Sequence, residues 1–433
     1  MPFARGKVSS SMNPKNIYLT NWLDGMPRYA IYALLIFTPL ARASVQDWAV
    51  TIIHMVTLIA LTAYLLERCL SWDWEWIKTP LDKPLIFLLA LCLLSSIFSL
   101  YKAASLWAFI LLLNYIIIYY LVIHTTRTRV QFRQLVYLII GIATFLAIFG
   151  LVKNFLINPF PWWDYPEIYK NVYRVTATFG NANNFAGYME MVIPLLLGMF
   201  LTGLKGPKII IMVCLVFLFI TALIFSFSRG GWIGMLFGLV FMAIVLLTNQ
   251  HFNRKRLVAG IICGFLAVSF FVLANTGAVK RIVTLKQKQD ITNFRSRVTA
   301  WSGIVDMIYD YPLLGAGPGT FAVVFTQYQP PGLTSRYFRA HNDYLQVISE
   351  AGLPIIPIII WMIIALYRKG FKKLKNSSRL VRGITVGAMS GIAAMLIHSI
   401  GDFNLHIPAD ALLFTVLAAL ITAPLPQHNR STY

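Results

Sequence analysis

Apolar runs of about 20 residues recur along almost the whole chain, and that is the length a helix needs to cross a hydrocarbon core about 30 Å thick. They centre on residues 29–46, 48–66, 84–101, 104–123, 134–153, 184–203, 208–227, 230–248, 257–275, 345–367, 383–400 and 407–424. Inside a bilayer only helices and closed barrels satisfy every backbone N–H and C=O. The runs are long and continuous, so the predicted fold is all-α, a polytopic membrane helix bundle of about 12 transmembrane helices. Composition agrees, with 58% of the 433 residues hydrophobic and only 12% charged, against roughly 25% charged in soluble domains. A soluble enzyme, a disulfide scaffold and a disordered chain are excluded. Cys69, Cys92, Cys214 and Cys263 lie in or beside apolar runs without a CxxC pair and read as small buried hydrophobes.

A formal charge of +21 would ordinarily suggest nucleic acid, but in a membrane protein the distribution of charge sets topology. With the N-terminus cytoplasmic, most basic residues fall on inner loops, including Arg127, Arg129 and Arg133, Arg254 to Arg256, and Arg368 to Lys375. No nucleic-acid partner is needed. The expected organisation is a cytoplasmic tail over 1–28, nine membrane helices over 29–275, a large outer loop over 276–344, three more helices over 345–424 and a cytoplasmic tail over 425–433. The outer segment near 154–183 carries Pro159, Pro161, Trp162, Trp163 and Pro166, an interfacial aromatic cluster. In the large loop Phe294, Val298, Trp301, Ile304, Val305 and Ile308 recur at helical spacing, predicting an amphipathic helix over about 293–310.

The polar residues that a bilayer resists gather on the outer side. SFSRGGWIG puts Arg229 at the mouth of two apolar helices, where an arginine either snorkels to the interface or has a partner or ligand. Gly230 and Gly231 would leave room beside its guanidinium. FRSRVTAW supplies Arg295 and Arg297, with Lys280, Arg281, Lys286 and Lys288 before them; the lysines read as a basic face toward anionic headgroups of membrane lipids. PLLGAGPGTF lacks the Lys-Ser/Thr of a phosphate loop and reads as a tight turn. RAHNDYLQVISEAGLP sets His341, Asn342 and Asp343 at the head of a membrane helix, beside Arg336 and Arg339; the histidine there could titrate and meet an anion. FGNANNFAGYM offers Asn181, Asn183 and Asn184, of which one would serve as an N-cap. In HSIGDFNLHIP, His398 and Asp402 are four apart and could pair on one helix face. Asp306 and Asp310 are thin evidence for a metal, and neither a metal nor a cofactor is expected.

Taken in order, SFSRGGW, R-x-x-x-W, PLLGAGPGTF, and AHNDYLQ with E-x-G-L-P resemble the O-antigen ligase and polymerase family of bacterial membrane glycosyltransferases. The resemblance covers roughly residues 180–410. It implies a GT-C-like bundle in the inner membrane with a large helical periplasmic loop. The implied donor is a glycan on undecaprenyl pyrophosphate, and the acceptor a sugar hydroxyl of lipid A-core or another glycan. By motif position, the catalytic roles fall on Arg229 and Arg297 at the pyrophosphate and His341 at the acceptor. Arg174, Asn181, Asn184, Arg295, Arg336, Arg339, Asn342, His398 and Asp402 complete the expected substrate-binding set. An O-unit polymerase or a protein O-glycosyltransferase of the same family stays open. A transporter or flippase is disfavoured because no half-repeat is visible and the polar clusters lie at the outer rim.

Overall fold

The computed structural model describes residues 14–156, 174–203, 206–250, 260, 263, 264, 295–333, 336–375 and 378–424. These residues are predominantly helical and contain no β-strand. The helices are α1 (Pro14–Leu40), α2 (Asp47–Ser71), α3 (Asp82–Ile97), α4 (Lys102–Thr125), α5 (Arg129–Phe155), α6 (Ala182–Phe200), α7 (Pro207–Phe225) and α8 (Arg229–Thr248). Then come α9 over 295–310, α10 (Asp343–Ala351), α11 (Ile355–Lys375), α12 (Arg379–His398) and α13 (Pro408–Thr422). Among the described residues, α2, α4, α5, α7, α8 and α12 are long and apolar enough to cross a membrane. Large apolar side chains such as Leu58, Ile210, Phe217 and Leu247 point outward, as they can where the surrounding solvent is hydrocarbon.

The bundle is organised around α6 and α12. In α6 every residue but Asn183 is buried, the mark of a helix enclosed on all sides. Helix α12 lies against α6 and α8 through glycines that recur every four residues. A methyl group at Gly387 would stand 2.6 Å from the Pro194 carbonyl oxygen, and one at Gly391 would stand 2.5 Å from that of Met191. On α8 the same spacing recurs at Gly230, Gly234 and Gly238; a methyl at Gly238 would meet the Ser390 carbonyl at 2.7 Å. Where lipid offers no hydrophobic drive between helices, such small-residue ladders let backbones approach and gain dispersion contacts.

The two ends of this core differ chemically. Arg129, Arg133 and Arg379, at the starts of α5 and α12, line one hollow. Lys373 donates from Nζ to the carbonyls of Leu420 and Ala423, at 2.8 and 3.0 Å, and so closes the C-terminal end of α13. Helix α12 has 20 residues, a rise of about 30 Å, so its other end, at His398, lies a membrane's thickness away.

Several boundaries differ from expectation. Helix α1 begins at Pro14, inside the segment read as a tail. The run 345–367 is not one helix. It breaks after α10, where Gly352 takes φ +82° and the Leu353 N–H donates to the Pro312 carbonyl at 2.8 Å. Pro354 follows and stands directly before α11, which begins at Ile355, a place where its missing N–H removes no helical hydrogen bond. The polar residues Asp343, Gln346 and Glu350 are all buried on α10, so this short helix docks on protein rather than facing lipid. The amphipathic helix of the large loop is present as α9. Phe294, Lys280, Arg281, Lys286, Lys288, the 157–173 segment, most of the 257–275 run, residues 1–13 and the 425–433 tail lie outside the described residues.

Candidate functional site

Helix α12 ends at His398, and the chain that follows carries Asp402 back over the bundle. Asp402 is 2% exposed and accepts three hydrogen bonds. His341 Nδ1 lies 3.2 Å from Oδ1, the Phe403 N–H donates to the same oxygen at 3.0 Å, and Asn183 Nδ2 donates to Oδ2 at 2.6 Å. Burial alone would raise the Asp402 carboxyl. The hydrogen bond and charge of His341, with the charges of Arg297 and His398, hold it well below the usual carboxylate range instead. An ionised carboxylate only accepts, so Nδ1 of His341 carries a hydrogen and Nε2 is the ring nitrogen left to exchange a proton with a substrate. His341 sits at φ +49°, a conformation non-glycine residues rarely adopt. Its ring packs edge-on to Phe403 with centroids 4.9 Å apart.

The next residues lock this geometry. Asn342 caps α10 by accepting from the Leu345 N–H at 3.0 Å. The Asp343 N–H donates to the carbonyls of Ser399 and Asp402, at 2.9 and 3.1 Å, tying the two site segments backbone to backbone. The Asp343 carboxylate takes His406 Nδ1 at 2.5 Å and the Leu405 N–H at 3.1 Å.

Two arginines connect to the pair, and a third begins α8. Arg174 donates from Nε to the Ser226 carbonyl at 2.7 Å, and from Nη2 to Asn183 Oδ1 at 2.7 Å and the Phe227 carbonyl at 3.3 Å. Arg174, Asn183, Asp402 and His341 thus form a continuous chain of hydrogen bonds. Arg297 donates from Nη1 to the Gly401 carbonyl at 2.8 Å. Arg229 is the first residue of α8, exposed, directly after the Ser228 cap, whose Oγ accepts from the Gly231 N–H at 3.2 Å. Arg295 is exposed on α9, and Arg336 lies over Phe338 and donates to the Ala322 carbonyl at 3.1 Å. These last two are not drawn into the His341–Asp402 cluster.

Two expectations are overturned. Gly230 and Gly231 leave no room for a ligand, because a methyl there would strike the His398 ring at 2.5 Å and Ala186 at 2.7 Å; the space is spent on helix packing. His398 and Asp402 do not pair, because the helix stops at His398. The His398 Nδ1 instead meets Glu190 Oε1 at 3.1 Å and Asn404 Nδ2 at 2.9 Å. Glu190, fully buried, went unread in the sequence although a carboxylate inside an apolar run is itself a signal. Asp410 is likewise fully buried on α13, and neither oxygen has a hydrogen-bond partner among the described residues.

The glycine-rich segment is indeed a turn. Gly315, Gly317 and Gly319 all have positive φ, at +66°, +113° and +75°. Glu350, 5% exposed, fastens it, accepting from the Gly319 and Phe321 N–H groups at 2.9 and 3.2 Å. Asp310 accepts from the Tyr328 hydroxyl at 2.6 Å, and the described residues hold no group of three or more metal-ligating side chains. Beside the turn opens a cavity of about 730 Å³ between α2, α4, α10 and the 403–411 stretch, with Asn181, Asn184, Arg339 and Phe403 among its walls.

No curated protein matches the chain. Residues 213–360 match the family model described as O-Antigen ligase. The matched stretch runs from within α7 into α11 and includes Arg229, Arg297, His341 and Glu350. It assigns this part of the chain to the O-antigen ligase family.

Proposed function

We propose that the protein transfers a glycan from undecaprenyl pyrophosphate to a sugar hydroxyl of lipid A-core, as an inverting O-antigen ligase working at the periplasmic face without a metal. The observation that supports this reading is the His341–Asp402 hydrogen bond, which commits Nδ1 to the carboxylate and leaves Nε2 for an acceptor hydroxyl, with Arg297 bound to the neighbouring Gly401 carbonyl. The acceptor hydroxyl attacks the anomeric carbon of the donor glycan, opposite the leaving group. A new C–O bond forms there, and the bond to the pyrophosphate breaks with its electron pair going to the leaving lipid. His341 Nε2 takes the hydroxyl proton as attack proceeds. Asp402 then stabilises the imidazolium and keeps the ring in register.

Arg229 and Arg297 face the negative charge that builds on the departing pyrophosphate. Arginine suits this role because its planar fork of N–H donors binds phosphate bidentately and stays charged. Such stabilisation acts only as charge develops, which lowers the barrier. Arg174, with Nε and Nη2 bound to backbone carbonyls and Asn183, holds the far end of the chain in position.

The test is transfer from a synthetic lipid-linked donor by purified protein in nanodiscs. His341→Ala and Arg297→Ala should fold, judged by gel filtration and thermal melting, and lose transfer. Turnover like that of the unmodified protein in either variant would remove that residue from the mechanism.

A further inference from the structure

We propose that the cavity beside α10 holds the acceptor saccharide, and that the Asn184 amide oxygen accepts a hydrogen bond from one of its hydroxyls. This rests on the glycosyl-transfer reading above. Asn184 is 3% exposed, and its Oδ1 has no hydrogen-bond partner among the described residues. A buried acceptor left unmatched within a protein calls for an explanation, and Asn184 lines the cavity. The missing partner must be an O–H or N–H donor, which saccharide hydroxyls supply in abundance.

Placement separates acceptor from donor. Asn183 points to Asp402 and Arg174, the side assigned above to the donor. Asn181 and Asn184, three apart and so on one face at the head of α6, line the cavity instead. Phe403 joins the two regions, since it forms part of the cavity wall and also packs against the His341 ring. A hydroxyl held in the cavity would therefore reach His341 past Phe403. The walls suit a sugar, because Trp107, Tyr115 and Phe338 offer flat apolar faces while Arg339 and His406 offer polar groups. A volume of about 730 Å³ lies in the ordinary range for ligand pockets.

The experiment uses the full chain in nanodiscs and, as probe, core oligosaccharide released from lipid A, titrated calorimetrically. The unmodified protein should bind it. Asn184→Leu should weaken binding roughly tenfold, the size of one good buried hydrogen bond. In transfer assays the same variant should raise the acceptor KM by a similar factor and leave the donor KM unchanged. Val45→Trp is the second variant, since Val45 lies on the cavity wall and is 39% exposed, so the larger ring takes up cavity space and should weaken binding as well. A rise in donor KM instead of acceptor KM, or unchanged binding in both folded variants, would overturn the assignment. Intact oligosaccharide binding with no transfer by the unmodified protein would count against the glycosyl-transfer reading and leave the saccharide site standing.

Discussion

Replacing Asp402 by Asn keeps the shape of the side chain and removes its charge, which isolates what that charge does. Asp402 serves three donors, with Oδ1 shared by His341 and the Phe403 N–H and Oδ2 taken by Asn183. An amide has one oxygen, so one side must become a donor. With the oxygen kept toward His341, the NH2 group opposes the Asn183 NH2, which cannot turn away without opposing Arg174. With the amide reversed, the NH2 opposes the Phe403 N–H and drives the His341 proton onto Nε2, where the base is needed. Either orientation also leaves the imidazolium without its counter-charge. At an effective dielectric of about 20, unit charges 3.2 Å apart interact by about 5 kcal/mol. The amide dipole and water at the part-exposed ring restore some of this, so the expected loss in kcat is about 10²- to 10³-fold, or about 2.7–4.1 kcal/mol. The assay is single-turnover transfer from a synthetic donor at saturating acceptor, with donor binding measured separately and expected to hold. A rate within about threefold of the parent would refute the claim that His341 acts through Asp402.

The remaining predictions concern stability. Because the Asp402 carboxyl is held below its ordinary value, its ionised form contributes stability that is fully present above about pH 4. That contribution is lost as pH falls toward the depressed folded value. Thermal melts of Asp402→Asn should therefore fall less steeply than those of the parent below about pH 4 and run parallel to them near neutrality. Gly387→Ala would put a methyl 2.6 Å from the Pro194 carbonyl and 2.7 Å from the Leu195 Cα, forcing α6 and α12 apart. The expected loss is about 1–3 kcal/mol, read as a lower melting temperature in detergent, and an unchanged melt would contradict the ladder. Glu350→Ala strips the acceptor from the Gly319 and Phe321 N–H groups, each loss worth about 1–3 kcal/mol. Hydrogen exchange should accelerate at those two amides ahead of the bundle, and unchanged protection would show that the turn stands without the carboxylate.

Much of the bundle was legible because a bilayer leaves helices little freedom of design. The runs that became α2, α4, α5, α7, α8 and α12 announce themselves by length and continuity. The break between α10 and α11 was written in Gly352 and Pro354 but hidden by the apolar residues on both sides. The glycine ladders were also readable, since Gly383, Gly387 and Gly391 repeat every four residues; in SFSRGGWIG the motif's glycines were credited to a ligand instead of to packing. His341 and Arg297 stood out as polar residues in a loop. The partner of His341 did not, because Asp402 lies 61 residues away and nothing local announces a pairing at that separation. Helical spacing favoured His398 as the mate of Asp402. What decided otherwise was the end of α12 at His398, a tertiary fact. Glu190 pairs with His398 across 208 residues, so its role could be suspected from its apolar surroundings but not specified.

The same interactions solve a folding problem and set up the chemistry. A buried carboxylate without partners would be driven to protonate, and a protonated Asp402 would no longer force the His341 hydrogen onto Nδ1. The fold surrounds Asp402 with an amide from α6, a backbone N–H from its own loop and the imidazole from the head of α10, with Arg297 reaching in from α9. Each donor comes from a different element, so the pair exists only when α6, α12, α10 and the large loop are assembled together. The glycine contacts of α12 with α6 and α8 fix those elements to within a fraction of an ångström, which is the tolerance a reacting pair demands. On the proposed mechanism catalytic readiness is thus a consequence of how the membrane core closes, and a packing mutation such as Gly387→Ala should lower turnover through the His341–Asp402 distance even where the protein still folds.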